Sequence, residues 1–131
     1  MLEESPNGRR LSLLMVEDHP LLRKLFSEAF GASHDVHTAS CAGEGWKLYL
    51  DSDPDIVFLD IGLPDMNGHD LAKKMKRHNS RSHVIMATVS DDDEDLQEAA
   101  RNNADGFIRK PFDKQKIEAY IDRYLAGRTR Q

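Results

Sequence analysis

Several features that define common protein classes are scarce or missing in this sequence. Cys41 is the only cysteine, so no disulfide can form within the chain. No run of about 18 apolar residues is present, and we therefore expect no membrane-spanning helix. The first residues also lack the apolar stretch preceded by positive charge that is typical of a signal peptide. These absences predict a protein of the cytoplasm.

Positive charge is in deficit as well. The 131 residues include 18 Lys and Arg against 23 Asp and Glu, which gives a net charge of -5. Because proteins bind nucleic acid backbones mainly through Lys and Arg, we expect no dedicated nucleic-acid surface. The length is sufficient for one compact domain. We assign residues 1–10 to a flexible N-terminal tail, residues 11–126 to the domain and residues 127–131 to a C-terminal tail.

The apolar residues alternate between the periods of strands and helices. The strand-like segments are LSLLMV, DVHTA, IVFLD, HVIMATV and DGFIR. The helix-like segments are PLLRKLFSEAF, SCAGEGWKLYL, GHDLAKKMKRH, DDDEDLQEAARN and DKQKIEAYIDRYL. Two of the strands are almost wholly apolar, which is typical of a parallel sheet covered on both faces. The pattern therefore predicts an α/β fold with a doubly wound sheet of five strands flanked by five helices.

Some details of the helices are predicted as well. In the second helix we expect four buried side chains and a weakening by Gly43 and Gly45, and the buried ones are Ala42, Trp46, Tyr49 and Leu50. The acidic run that opens the fourth helix is favoured by the helix dipole, and it lacks the glycine of a calcium loop. Asn103 suits a left-handed residue after that helix.

Acidic residues and a lysine are expected together at the carboxyl ends of the strands. Glu17 and Asp18 follow the first strand, Asp60 ends the third, and Lys110 follows the fifth. The fourth strand leads to hydroxyl groups at Thr88 and Ser90. Crowded carboxylates repel one another, so a lysine and a hard divalent cation such as Mg²⁺ are needed to compensate them. The pattern predicts a site where Asp60 acts on an anion.

The segments VEDHP, FLDIGLPDMNG, VIMATVS and FIRKPF, in this order, resemble the receiver domain of bacterial two-component response regulators, including chemotaxis regulators. The resemblance implies a flavodoxin-like sheet with strand order 2-1-3-4-5. It also implies that Asp60 accepts a phosphoryl group from a sensor histidine kinase or a histidine phosphotransfer protein. Such a domain catalyses only its own phosphorylation and dephosphorylation, and it switches conformation to signal to an effector protein or an output domain.

The resemblance also implies roles for individual residues in the metal site. Asp18 and Asp60 would bind Mg²⁺ directly, Glu17 would bind it through a water molecule, and Gly62 would bind it through its backbone carbonyl.

For the phosphoryl group, the resemblance implies that Thr88 and Lys110 hold its oxygens. Phe107 would turn inward when Thr88 is drawn towards that group. The peptide bond before Pro111 would be cis. The sequence departs from the family at Val89, where a small residue is usual, and we expect this side chain to narrow the approach to Asp60.

Three other classes are less compatible with the sequence. A haloacid-dehalogenase-type phosphatase resembles a pattern with a second Asp two residues after the first, and that position is Gly62 here. A dinucleotide-binding domain needs a glycine-rich turn after the first strand, where this chain has Glu17, Asp18 and His19. A docking module that has lost phosphorylation would lack an acid or the lysine, and the sequence retains all of them.

Overall fold

The computed structural model of the chain describes residues 9–89, 93–111 and 113–129. Strands and helices alternate along the described chain. The strands are β1 (Ser12–Val16), β2 (Asp35–Ala39), β3 (Ile56–Asp60), β4 (His83–Thr88) and β5 (Gly106–Arg109). The helices are α1 (Pro20–Phe30), α2 (Ala42–Ser52), α3 (Gly68–His78), α4 (Asp93–Arg101) and α5 (Lys114–Thr129).

All strand pairs are parallel, and the sheet has the order β2-β1-β3-β4-β5. The α/β prediction and the implied strand order are therefore confirmed. Every residue of β3 is buried, because this central strand has a strand on each side and helices over both faces. Parallel pairing places the carboxyl ends of β1, β3, β4 and β5 along one edge of the sheet.

The sheet separates two apolar cores. Successive side chains of a strand point to opposite faces, so Leu13 and Met15 of β1 enter one core and Leu14 and Val16 enter the other. The first core includes apolar residues of α1 and α5, and the second includes residues of α2, α3 and α4. Each helix therefore buries one stripe and leaves its opposite side to the solvent.

Helix α2 differs from the prediction in which side chains it buries. Leu50 was predicted to be buried, but 47% of it is exposed. The buried stripe instead follows Ala42, Gly45 and Tyr49, and Leu50 lies about 100° around the helix axis from Tyr49. A Cβ atom at Gly45 would come within 2.7 Å of Val16 Cγ2. Gly45 therefore allows α2 to approach β1 closely, a packing benefit that its low helix propensity does not reveal.

The ends of the elements agree with the prediction to within a few residues. Helix α5 continues to Thr129, into the segment assigned to the C-terminal tail, because the apolar pattern that ends at Leu125 marks only its buried part. Asn103 is left-handed with φ of 61°, as predicted. The predictions for residues 1–8, 90–92, 112, 130 and 131 lie outside the described residues. Within the described ranges, no helix combines the length and apolar character that crossing a membrane requires.

Candidate functional site

The acidic residues and the lysine predicted at the carboxyl edge of the sheet meet in the structure. Asp60 is the last residue of β3, and Glu17 follows the last residue of β1. Lys110 follows β5, and its Nζ lies 3.0 Å from Asp60 Oδ1 and also contacts Glu17 Oε1. Glu17 and Asp60 are both buried. A buried ammonium group thus pairs with two buried carboxylates, which reduces the repulsion between them.

Asp18 completes an acidic cluster with these two carboxylates. One ligand oxygen from each of Glu17, Asp18 and Asp60 lies within 4.8 Å of the others. Asp18 is exposed, whereas Glu17 is only 1% exposed. Burial raises the pKa of Glu17 above its ordinary value, and the nearby Asp60 adds to this, while hydrogen bonds from Lys110 and from the backbone of His19 act in the opposite direction.

This cluster fits a divalent cation. It offers only oxygen donors, which hard ions such as Mg²⁺ prefer. Three carboxylates and one lysine also leave two negative charges uncompensated when all are ionised, which matches the charge of such an ion. The chemistry of these residues therefore suits the Mg²⁺ site implied by the sequence.

The loop between β3 and α3 is held in place at two points after Asp60. The backbone N–H of Gly62 donates to Asp60 Oδ1 over 3.3 Å. Further along, Asp65 accepts hydrogen bonds from the backbone N–H groups of Ala42 at 2.7 Å and Gly43 at 2.9 Å. These bonds lower the pKa of Asp65 and attach the loop to the first turn of α2.

Gly68 and Asp65 are two residues of this site that the sequence did not reveal. A Cβ atom at Gly68 would lie only 2.2 Å from the backbone oxygen of Asp60, so a glycine is required for this close approach. The signal present in the sequence was the run of turn-forming residues between Asp60 and α3. That run indicates a tight loop but does not say which residue contacts which helix.

Thr88 and Val89 lie at the end of β4, beside the acidic cluster in the strand order. Thr88 is 6% exposed, and its carbonyl accepts a hydrogen bond from the N–H of Lys110 at 2.7 Å. Val89 is 78% exposed. The peptide bond between Lys110 and Pro111 is cis, the geometry that the resemblance implies. The hydrogen bond between Lys110 and Thr88 holds the chain after β5 beside the end of β4.

Phe107 is a half-buried residue of β5 that packs against the core under α2, α3 and α4. Its backbone N–H lies 3.3 Å from the hydroxyl oxygen of Tyr120 on α5, and that hydroxyl is 3.1 Å from the carbonyl of Phe107. The sequence did not identify Tyr120 as a partner, because the two residues meet only when α5 packs on β5. The contact ties the backbone of the candidate switch residue to the last helix.

Comparisons with known proteins agree with this geometry. A family model for the response regulator receiver domain matches residues 13–122. The chain is 30% identical over 116 residues to the chemotaxis protein CheY of Halobacterium salinarum, covering 88% of this chain and 97% of that protein. It is 32% identical over 114 residues to the regulatory protein AtoC of Escherichia coli, covering 86% of this chain.

Some of these relatives are much longer than the matched region. The chain spans 25% of AtoC and 57% of the nitrate/nitrite response regulator NarL of Escherichia coli. Among solved structures, a CheY-like receiver domain protein from Methanospirillum hungatei superposes with a TM-score of 0.87 at 24% identity, covering 93% of this chain and 98% of that one. That likeness concerns the fold. Since the family model covers most of the chain, the chain belongs to the receiver domain family of two-component response regulators.

Proposed function

We propose that Asp60 accepts a phosphoryl group from a phosphohistidine on a sensor histidine kinase or a histidine phosphotransfer protein. The observation that carries the proposal is the position of the buried Asp60 carboxylate, 3.0 Å from Lys110 Nζ and inside an acidic cluster. In the reaction, a carboxylate oxygen attacks phosphorus and the bond between phosphorus and the histidine nitrogen breaks. The imidazole leaves and takes up a proton, and Asp60 becomes an acyl phosphate.

Lys110 and Thr88 would hold the oxygens of the transferred group. The Lys110 side chain is only 8% exposed, so its charge acts in a partly desolvated environment where electrostatic stabilisation is stronger than in water. Its pairing with Asp60 places it in advance beside the oxygen that would receive the phosphoryl group. Phosphoryl transfer depends chiefly on such placement of charge, with little covalent work for the protein.

Asp18, Asp60 and the carbonyl of Gly62 would hold Mg²⁺ directly, and Glu17 would hold it through a water molecule. When bound, Mg²⁺ supplies positive charge that offsets the charge of the phosphoryl oxygens. The oxygen-only donor set of the cluster supports this assignment.

The phosphorylated domain would return to its resting state when water attacks the phosphorus, which releases inorganic phosphate and restores the Asp60 carboxylate. While Asp60 is phosphorylated, Phe107 would follow Thr88 inward, and this movement would change the surface formed by α4, β5 and α5. We propose that a downstream effector protein or an output domain reads this surface. A cytoplasmic location fits the role, because a phosphohistidine donor is generated there from ATP.

A phosphorylation assay tests the central assignment. Incubation with acetyl phosphate and Mg²⁺ should add one phosphoryl group, detected by intact-protein mass spectrometry. Asp60→Asn should abolish the addition because an amide oxygen is a poor nucleophile, and removal of Mg²⁺ with EDTA should suppress it. Asp51→Asn, on the exposed side of α2, is the matched control and should label like the wild type.

Equal labelling of the Asp60→Asn variant would place the acceptor elsewhere. Complete absence of labelling in the wild type, with acetyl phosphate and with several histidine kinases, would favour a docking module that works without phosphorylation.

A further inference from the structure

A polar cavity lies near the amino-terminal ends of β4 and β5, at the end of the sheet opposite to Asp60. It has a volume of about 640 Å³ and is bordered by the end of α3, the start of β4, the residue before β5 and the second half of α5. Its lining residues include Lys76, Arg81, His83, Asp105, Arg123 and Tyr124. Strand β4 runs from this cavity to the acidic cluster, a length of roughly 16 Å. The cavity is therefore separate from the proposed phosphorylation site.

Hydrogen bonds hold the walls of this cavity in a defined shape. Asp105 Oδ2 accepts from Lys76 Nζ at 2.7 Å and from the backbone N–H of Val84 at 2.8 Å. The ring of His83 meets the ring of Tyr124 edge to face, with centroids 5.0 Å apart. The hydroxyl of Tyr124 donates to Asp55 Oδ1 at 3.3 Å. This wall of the cavity is therefore already ordered before a ligand binds.

The charge of the cavity contrasts with that of the chain. Lys76, Arg81 and Arg123 contribute three positive charges and Asp105 one negative charge, so the ionised lining residues sum to +2, whereas the whole chain carries -5. Burial lowers the pKa of His83, and this side chain adds no further positive charge near neutral pH. The cavity is thus a local basic site on an acidic protein, and it selects for anions.

Two of these cations have no acidic partner among the described residues. Lys76 is accounted for, because it pairs with Asp105 and lies in the last turn of α3, where a cation offsets the helix dipole. For Arg81, the described hydrogen bond involves only its backbone N–H. The guanidinium of Arg123 lies over the ring of Tyr120, 5.1 Å from its centroid. Both guanidinium groups remain available to a ligand.

We propose that this cavity binds the phosphate groups of a small phosphorylated ligand. Arginine presents a fork of N–H groups that matches phosphate oxygens, and two such forks border the cavity. Its volume falls in the range of about 300–1,000 Å³ that is typical of small-molecule sites, which leaves room for a nucleotide as well as for pyrophosphate. His83 and Tyr124 add aromatic surface to one wall.

Calorimetric titration of the whole chain with ATP and with sodium pyrophosphate tests this proposal. The buffer contains EDTA to remove Mg²⁺, which could otherwise attract these anions to the acidic cluster at Asp60. Without the ion, the carboxylates of that cluster repel them. We expect saturable binding that perturbs the backbone NMR signals of His83, Val84 and Asp105. Changing both Arg81 and Arg123 to Ala should weaken it at least about tenfold, since each arginine donates charged hydrogen bonds. Arg77→Ala, an exposed cation outside the cavity lining, should leave it within about twofold of the wild type.

The two probes distinguish the sources of the phosphate group. Tighter binding of ATP indicates a nucleotide, and equal binding indicates that pyrophosphate alone is sufficient. Three results would overturn the proposal: no saturable binding of either probe, an affinity unchanged in the double variant, or binding of adenosine as tight as that of ATP. NMR changes centred on Asp60 would likewise assign the binding to the other edge.

Discussion

At the scale of single residues, the site depends on one lysine shared between two buried acids. Lys110 contacts both Glu17 and Asp60, and burial raises the pKa of Glu17. Burial therefore makes the ionised form of Glu17 less favourable than that of an exposed glutamate, and the contact with Lys110 offsets part of this effect. The exposed Asp18 has no such burial and is open to the solvent from which a metal ion arrives. The three acids thus differ in environment although they share one cluster.

Val89 is the residue at which this chain departs most clearly from the pattern it resembles. Its side chain is largely exposed, so it can contact molecules that approach from the solvent. We expect Val89→Ala to accelerate both phosphorylation by acetyl phosphate and spontaneous dephosphorylation, because a smaller side chain leaves more room for the donor and for water. Placement errors of about 1 Å can change rates by about 10²-fold, which sets the upper limit of the effect.

The rates are measured by quench-flow labelling and by the release of inorganic phosphate. Leu50→Ala shortens another exposed apolar side chain, on α2, and should change neither rate. Rates that are the same for Val89→Ala and the wild type would show that steric access is not limiting, as expected if the open space around Gly62 is sufficient.

At the scale of elements, the first turns of α3 and α4 are joined by a partly buried pair. His69 is 4% exposed, and its Nε2 lies 3.1 Å from Asp95 Oδ1 on α4. The carbonyl of His69 also accepts a bond from Asn102 Nδ2 at 3.5 Å, just after the end of α4. Both ends of α4 are thereby attached to α3. Since Gly68, the residue before His69, touches the backbone of Asp60, these contacts connect α4 to the loop of the proposed acceptor.

We expect Asp95→Asn to loosen α4 without unfolding the domain. The change replaces a charged acceptor of His69 by an amide, which weakens a partly buried hydrogen bond worth on the order of 1 kcal/mol. Backbone amides of α4 should exchange with solvent about fivefold faster, measured by hydrogen exchange and mass spectrometry.

Asp93→Asn is the control for this prediction. Asp93 lies in the same first turn of α4, so this variant loses the same favourable interaction with the helix dipole but leaves His69 untouched. If both variants accelerate exchange equally, the link to His69 contributes nothing to the position of α4.

At the scale of the whole molecule, we expect phosphorylation to shift an existing equilibrium and not to create a new fold. Binding of beryllofluoride with Mg²⁺, which mimics a phosphoryl group, should change amide exchange mainly between residues 88 and 123. This region contains Thr88, α4, β5 with Phe107, and the part of α5 that carries Tyr120. The Asp60→Asn variant should show no change. Changes confined to residues 36–50 would contradict the proposal, because that segment belongs to β2 and α2, and β2 is the edge strand farthest from β5.

The sequence by itself determined the class of fold and which acidic residues and lysine form the centre of the candidate site. Alternating periods of apolar residues predicted the order of strands and helices, because each period reflects local backbone geometry. Parallel strands end along one edge, so the order of the elements was sufficient to assign the acids and the lysine that follow them to one place. The roles of Thr88, Phe107 and Val89 came from the resemblance and remain predictions.

Only the tertiary structure decided contacts between residues that are distant in the chain. The approach of Gly45 to Val16, the attachment of Asp65 to α2, and the pairing of His69 with Asp95 each depend on how a helix packs on its neighbours. The same is true of the polar cavity, whose lining residues include members of α3, β4 and α5. Sequence periodicity reports which side of an element is apolar, but it carries no information about which side chains meet across elements, because that depends on packing between surfaces that are far apart in the chain.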